Sequence, residues 1–151
     1  MTSGAPVETT NNSHPALPWT PPSGQSAELQ PVGRSWDVVR VALSLGIGKR
    51  TLDLLGPTTG AVIKNPIDRV LYWLIEPGAA SDWDMGQLPC VEVWGATAYI
   101  EVPPASRTTG PGIHWHVPLR YDRYLTDPAA LLAALRAATR EALGPREGAA
   151  R

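Results

Sequence analysis

The chain has 151 residues, 43% hydrophobic and 18% charged, with a net charge of −1, a balance that fits one folded domain with polar flanks. It excludes a global basic field of the kind that draws proteins to nucleic acid, so any such contact has to come from a local patch. A single cysteine, Cys90, excludes an internal disulfide, and no apolar run reaches the ~18 residues of a membrane span or follows a basic N-terminal leader, so a cytoplasmic protein with no membrane partner is expected.

Residues 1–31 are rich in Pro, Ser, Thr, Asn and Gly and poor in apolar anchors. Such a stretch buries too little surface to offset the entropy of ordering it, and a disordered tail is predicted. Trp19, in Leu17-Pro18-Trp19-Thr20-Pro21-Pro22, reads as an ordinary tail residue, with a short docking motif as the alternative. One domain is expected over 32–145, followed by a disordered C-terminus over 146–151.

Trp36 to Val41 is rich in β-branched residues and predicts a strand. Leu43 to Leu55 predicts a helix weakened at its start by Gly46 and Gly48 and stopped by Gly56-Pro57. Gly60 to Lys64 is a short strand, and Asn65-Pro66-Ile67-Asp68 is a turn. Val70 to Ile75 is apolar on both faces, the pattern of a central buried strand. Ala79 to Leu88 is a loop with room for one helical turn.

Val91 to Trp94 and Ala98 to Val102 are strands joined through Gly95-Ala96, and Arg107 to Gly112 is a loop. Ile113 to Val117 alternates, which directs Ile113, Trp115 and Val117 to the core and His114 and His116 away from it. A final helix is capped by Thr126 or Asp127, takes Pro128 at its first position and ends at Gly144-Pro145. Leu131, Leu135, Ala138 and Ala142 share its apolar face, with Arg136 and Arg140 off it. The predicted class is α+β, a mixed, mainly antiparallel sheet with packing helices.

Residues with chemical potential are scattered. His114 and His116 lie two apart on one strand and would need a third ligand, Glu92 or Glu101, to hold a metal; a surface pair is the simpler expectation. Lys49, Arg50, Arg107, Arg120 and Arg123 form either a phosphate-binding face or a set of solvated arms. Tyr121 and Tyr124 stack on bases or cover the sheet edge. Trp73, Trp94 and Trp115 are expected in the core, Trp83 in an exposed loop between Asp82 and Asp84, a weak cation site, and Cys90 as a buried inert thiol.

The run Leu88-Pro89-Cys90-Val91-Glu92-Val93-Trp94-Gly95, then Ala98-Tyr99-Ile100-Glu101-Val102-Pro103-Pro104-Ala105-Ser106, then Gly112-Ile113-His114-Trp115, resembles the bifunctional primase-polymerase domain of the archaeo-eukaryotic primase superfamily. The resemblance spans roughly residues 34 to 143. Arginine far outnumbers lysine, Ala, Gly and Pro are abundant and phenylalanine is absent, a coding bias of the actinobacterial kind that suits a short member.

That family transfers nucleotides with Mg or Mn held by clustered carboxylates. The resemblance places its two early acids on Arg40 and Ala42, its histidine on or beside Val70, and its third acid on Glu92. It thereby implies the fold while arguing against the activity. The expectation is a non-catalytic binding or regulatory module without a cofactor, its partner a nucleic acid, a nucleotide or a protein, and Arg40 among the ligand-binding candidates. The alternatives are an active metal-dependent transferase using Asp37, Glu92 and His114, with Asp53 available in a shifted register, and a pure protein-interaction domain that uses the tail or Trp83.

Overall fold

A computed structural model describes residues 19–120 and 122–144. Seven strands and two helices follow one another as β1 (Glu28–Pro31), β2 (Asp37–Ala42), α1 (Ile47–Leu55), β3 (Val62–Asn65), β4 (Val70–Ile75), β5 (Val91–Trp94), β6 (Tyr99–Val102), β7 (His114–Val117) and α2 (Pro128–Leu143). Five strands form one antiparallel sheet in the order β5-β2-β4-β3-β7, and β1 pairs with β6 in a separate two-stranded sheet. The fold is α+β, as its sequence pattern predicts.

The main sheet is covered on both faces, which explains why all six residues of β4 are buried at its centre. On one face Val39, Val41, Leu71, Trp73 and Ile75 pack under Ile47 and Leu55 of α1 and Leu131, Leu135 and Ala138 of α2. On the other, Val38, Ile63, Tyr72, Leu74 and Trp115 pack under Val32, Ile100 and Val102 from the small sheet and its approach. The alternation of β2 sends its odd-numbered valines to the helices and Val38 to the small sheet.

The segment β2-α1-β3-β4-β5, with β5-β2-β4-β3 as neighbours, is a split βαβ arrangement. The crossover from β4 to β5 carries only a 3₁₀ turn at Met85–Gln87, capped by Asp84, whose Oδ1 accepts from the Gly86 N–H at 3.1 Å. Its Ala80 and Leu88 are buried in the helix-side core, and Trp83 and Met85 pack against that core half-buried. Trp83 is therefore less available as a contact than its loop position suggests.

Helix α1 starts at Ile47 and not at Leu43. Leu45 and Gly46 take left-handed conformations (φ 62° and 72°), and the residues Ser44–Gly46 form a separate 3₁₀ turn. Gly48 serves close packing: a methyl there would lie 3.1 Å from Leu71 Cδ1 and 3.4 Å from the Ala42 carbonyl oxygen. Helix α2 has the expected ends, with the Ala130 N–H donating to Asp127 Oδ2 at 2.9 Å and Gly144 closing on the Arg140 carbonyl at 2.8 Å. Its Ala142, assigned to the apolar face, is exposed.

The predicted tail is ordered at its end. Residues Glu28–Pro31 form β1, in register with β6 from Glu28↔Val102 to Pro31↔Tyr99. Trp19 packs edge-on against Trp36, with ring centroids 5.6 Å apart, and against Tyr124 at 6.2 Å. The domain therefore extends N-terminal of Val32. The rest of the predicted tail (1–18), the C-terminal segment (145–151) and Tyr121 lie outside the described residues. Among the described residues no helix is long and apolar enough to cross a membrane.

Candidate functional site

Arg40 lies in mid-sheet, in register with Tyr72 on β4 and with Glu92 on β5. Its guanidinium sits 5.3 Å from the centroid of the Trp94 ring, and Nη1 is 3.7 Å from Glu92 Oε1. The Trp94 indole N–H donates to the same Oε1 at 3.0 Å, and its ring lies tilted against Tyr72, 6.1 Å between centroids. Arg40 is 26% exposed and Glu92 60%. At such exposure the ion pair contributes about 1 kcal/mol or less, and the cation–π contact about 0.5–1 kcal/mol. Together they fix the direction of the guanidinium more than they add stability. Trp94 is half-buried at this corner, outside the core proper, whereas Trp73 and Trp115 are fully buried.

The alternative catalytic set does not assemble. Asp37, at the start of β2, points to the opposite face from Arg40, and its Oδ2 accepts from the Gly78 N–H of the crossover at 2.8 Å. Glu92 is on the edge strand β5 and His114 on the far edge strand β7, four strand spacings away or ~19 Å. Asp53, the shifted-register candidate, lies 3.8 Å from Lys49 one helical turn earlier.

The two histidines do not both face away from the core. His114 is buried, and its Nδ1 donates to the Gly112 carbonyl 2.9 Å away, with the loop at Gly110 packed over its ring. His116 is exposed, its ring centroid 6.5 Å from that of His114. Neither suggested third ligand is nearby in the fold: Glu92 is on β5, across the sheet, and Glu101 is on β6 in the small sheet. Partial desolvation first, then the charges of Lys64 and His114, hold the His116 pKa below its ordinary 6.5.

This shift fixes a pH dependence. In the unfolded chain His116 takes a proton near its ordinary value, and in the fold only at lower pH. The unfolded state therefore binds more protons in that window, and its stabilisation grows as pH falls through about 6.5. Wild type is expected to lose more stability than His116→Gln between about pH 7.5 and about pH 5.5, measured by urea titration at both values. Equal losses in the two proteins contradict the assignment.

The basic residues are committed locally and do not converge. Arg50 forms a two-pronged contact with Glu141 of α2, at 2.8 and 3.3 Å, and tethers the two helices. Arg123 donates to the Pro57 carbonyl at 2.6 Å, Arg107 to the Gln25 carbonyl, and Arg120 lies 3.5 Å from Asp122. Tyr124 packs under Trp19, and burial raises its pKa. Cys90 is half-buried, more open than expected.

One feature of the surface is not contained in any of the sequence candidates taken together. Between α1 and the β3–β7 edge, on the helix side, lies a cleft of about 500 Å³. Leu43, Leu52, Leu71 and Val117 supply apolar walls, and Lys49, Asp53, Thr59, Lys64 and His116 supply polar groups. Of these polar groups Lys49, Asp53 and His116 were singled out in the sequence, each for another purpose. Lys64 and Thr59 were missed. A charged residue breaking the apolar run Ala61-Val62-Ile63 was the available signal.

Comparison of the chain with protein-family models, with curated proteins and with solved structures finds no match.

Proposed function

We propose that the chain is a non-catalytic, primase-polymerase-like binding module working in the cytoplasm. The observation that carries this is the Arg40 guanidinium lying over Trp94 and paired with Glu92, at the place where the resembled family gathers its metal-binding acids. Support also comes from the register. Arg40 stands opposite Glu92 and Ala42 opposite Val70, so the four positions aligned with that family's chemical groups are contiguous on one sheet face.

The donor set there does not fit Mg or Mn. A cation ~4 Å from a guanidinium near a protein surface meets about 4 kcal/mol of repulsion per unit charge, and Glu92 Oε1 is already engaged by Arg40 and Trp94. What the corner offers a ligand is a cation beside a half-buried indole at a sheet edge. That combination favours a nucleotide or a single nucleic-acid strand, through phosphate and base, over a purely protein partner.

The test is primer extension with Mn²⁺ and labelled nucleotides, run beside a low-salt gel shift with single-stranded DNA. No incorporation and a shift weakened in Arg40→Gln are expected. Incorporation that disappears in Glu92→Ala would overturn the proposal. Low salt is needed because phosphate contacts weaken steeply as salt rises.

A further inference from the structure

The helix-side cleft lies on the opposite face of the sheet from the Arg40 corner and is independent of it. We infer that this cleft binds a small organic monocarboxylate with an apolar body, its carboxylate held by Lys64 and its body laid on Leu43, Leu52 and Val117.

Size comes first. About 500 Å³ falls within the roughly 300–1,000 Å³ typical of small-molecule sites. The accessible apolar walls are half-buried side chains: Leu43 just before α1, Leu52 from α1 and Val117 from β7, with the buried Leu71 of β4 as the floor beneath them. A ligand with an aliphatic or aryl body covers these side chains and gains ~25 cal/mol for each Å² removed from water.

Charge then selects the sign and the number. Lys49 lies 3.8 Å from Asp53, so these two nearly cancel. Lys64, half-buried on β3, has no ion-pair partner among the described residues. His116 beside it is held in the neutral form at neutral pH, as its lowered pKa requires, and can donate one N–H. One uncompensated ammonium next to one neutral donor suits a single negative charge. It does not suit a di- or triphosphate, whose several charges call for clustered cations or a metal.

Chemistry also removes the nucleotide from this cleft. A base is held by stacking on an aromatic face; the lining contains no tryptophan or tyrosine, and its one imidazole, His116, is taken up by the acid. The one hydroxyl, Thr59 Oγ1, is already occupied: it accepts from the Trp73 indole at 3.0 Å and donates to the Gly60 carbonyl at 3.1 Å. It positions the wall and leaves recognition of the acid to Lys64 and His116.

The experiment uses the full chain with octanoate as the probe, and 1-octanol and octylammonium as controls with the same body. Saturable shifts of the Leu43, Leu52, Lys64 and His116 resonances on octanoate titration are expected, with weaker binding of octanol and none of octylammonium. Lys64→Gln should weaken octanoate about tenfold, equivalent to ~1.4 kcal/mol, and leave octanol unchanged, since it removes the charge-assisted hydrogen bond alone. A second variant, Leu52→Asn on the half-buried helix wall, should weaken octanoate and octanol alike. Octanoate shifts that do not saturate, equal binding of octylammonium, or an unchanged affinity in Lys64→Gln would each overturn the inference. None of these outcomes bears on primer extension, which tests the other face.

Discussion

Trp73→Ala is expected to cost about 3–5 kcal/mol of stability, enough to leave much of the protein unfolded at 37 °C. Trp73 is fully buried at the centre of the main sheet, opposite Val39 on β2 and Val62 on β3. Its side chain belongs to the helix-side core with Leu131 and Leu135, so truncation opens a cavity under both helices at once. The change also removes the 3.0 Å hydrogen bond to Thr59, which lies between α1 and β3 and walls the cleft. Trp73→Phe keeps most of the volume and loses that bond, and a smaller cost of about 1–2 kcal/mol is expected. Ile67→Ala is the matched control: Ile67 is 80% exposed in the β3–β4 turn, and its loss should stay within about 0.5 kcal/mol. Urea titrations followed by far-UV circular dichroism rank the three. Trp73→Ala costing less than Trp73→Phe contradicts the packing described.

The contrast between what local sequence encodes and what only packing creates runs through every element. β4 was legible because a strand covered on both faces must be apolar throughout, and Val70 to Ile75 is. α2 was legible because its caps are local chemistry: Asp127, Pro128 and Gly144 act on neighbours a few residues away. β1 was not, because Glu28-Leu29-Gln30-Pro31 has no β-branched residue and contains a proline; it is a strand because β6 pairs with it in a two-stranded sheet, where an unpaired edge tolerates Pro31. The start of α1 was misplaced because two successive left-handed residues, one of them Leu45, leave no mark in an apolar pattern. His114 defied the alternation rule because burial comes from the loop at Gly110 closing over it, a tertiary event.

The sites divide the same way. Arg40 and Glu92 were named from the sequence, but their pairing depends on β5 docking against β2 in one register, and a slip by one residue would send Glu92 to the other face. Lys49, Lys64 and His116 come from a helix and two strands, and no spacing along the chain brings them together. The sheet also places the two proposed sites on opposite faces, the cleft over β4, β3 and β7 and the Arg40 corner over β5, β2 and β4, so the two ligands would not touch each other. Binding energies at the two sites should therefore add to within a few tenths of a kcal/mol.

Gly33→Ala is expected to lower stability by about 2–5 kcal/mol, through the layer that the sequence did not reveal. Gly33 has φ +100°, and a methyl built there would lie 2.6 Å from the backbone nitrogen of Ala96 and 2.8 Å from its Cα. Those are atoms of the β5–β6 turn and not the flexible tip of a side chain, so the strand ends themselves must part. Strain from the left-handed region adds about 1–2 kcal/mol, and overpacking about 1–3 kcal/mol. Gly33 also donates its N–H to the Trp36 carbonyl at 2.8 Å, while Val32 donates to the Ala98 carbonyl at 2.9 Å. The residue thus joins β1, β2 and the turn into β6. If the small sheet loosened, Val32, Trp36, Ile100 and Val102 would all lose their cover, because they form one apolar layer. Gly24→Ala separates this from a generic glycine effect, since nothing lies within 4 Å of a methyl at that position; there a neutral change or a gain of up to about 1 kcal/mol is expected. Thermal melts should place Gly33→Ala at least about 5 °C below wild type, with hydrogen-exchange protection lost first at Val32 and across β6. A variant that melts with wild type and keeps that protection would mean the small sheet does not sit where Gly33 holds it.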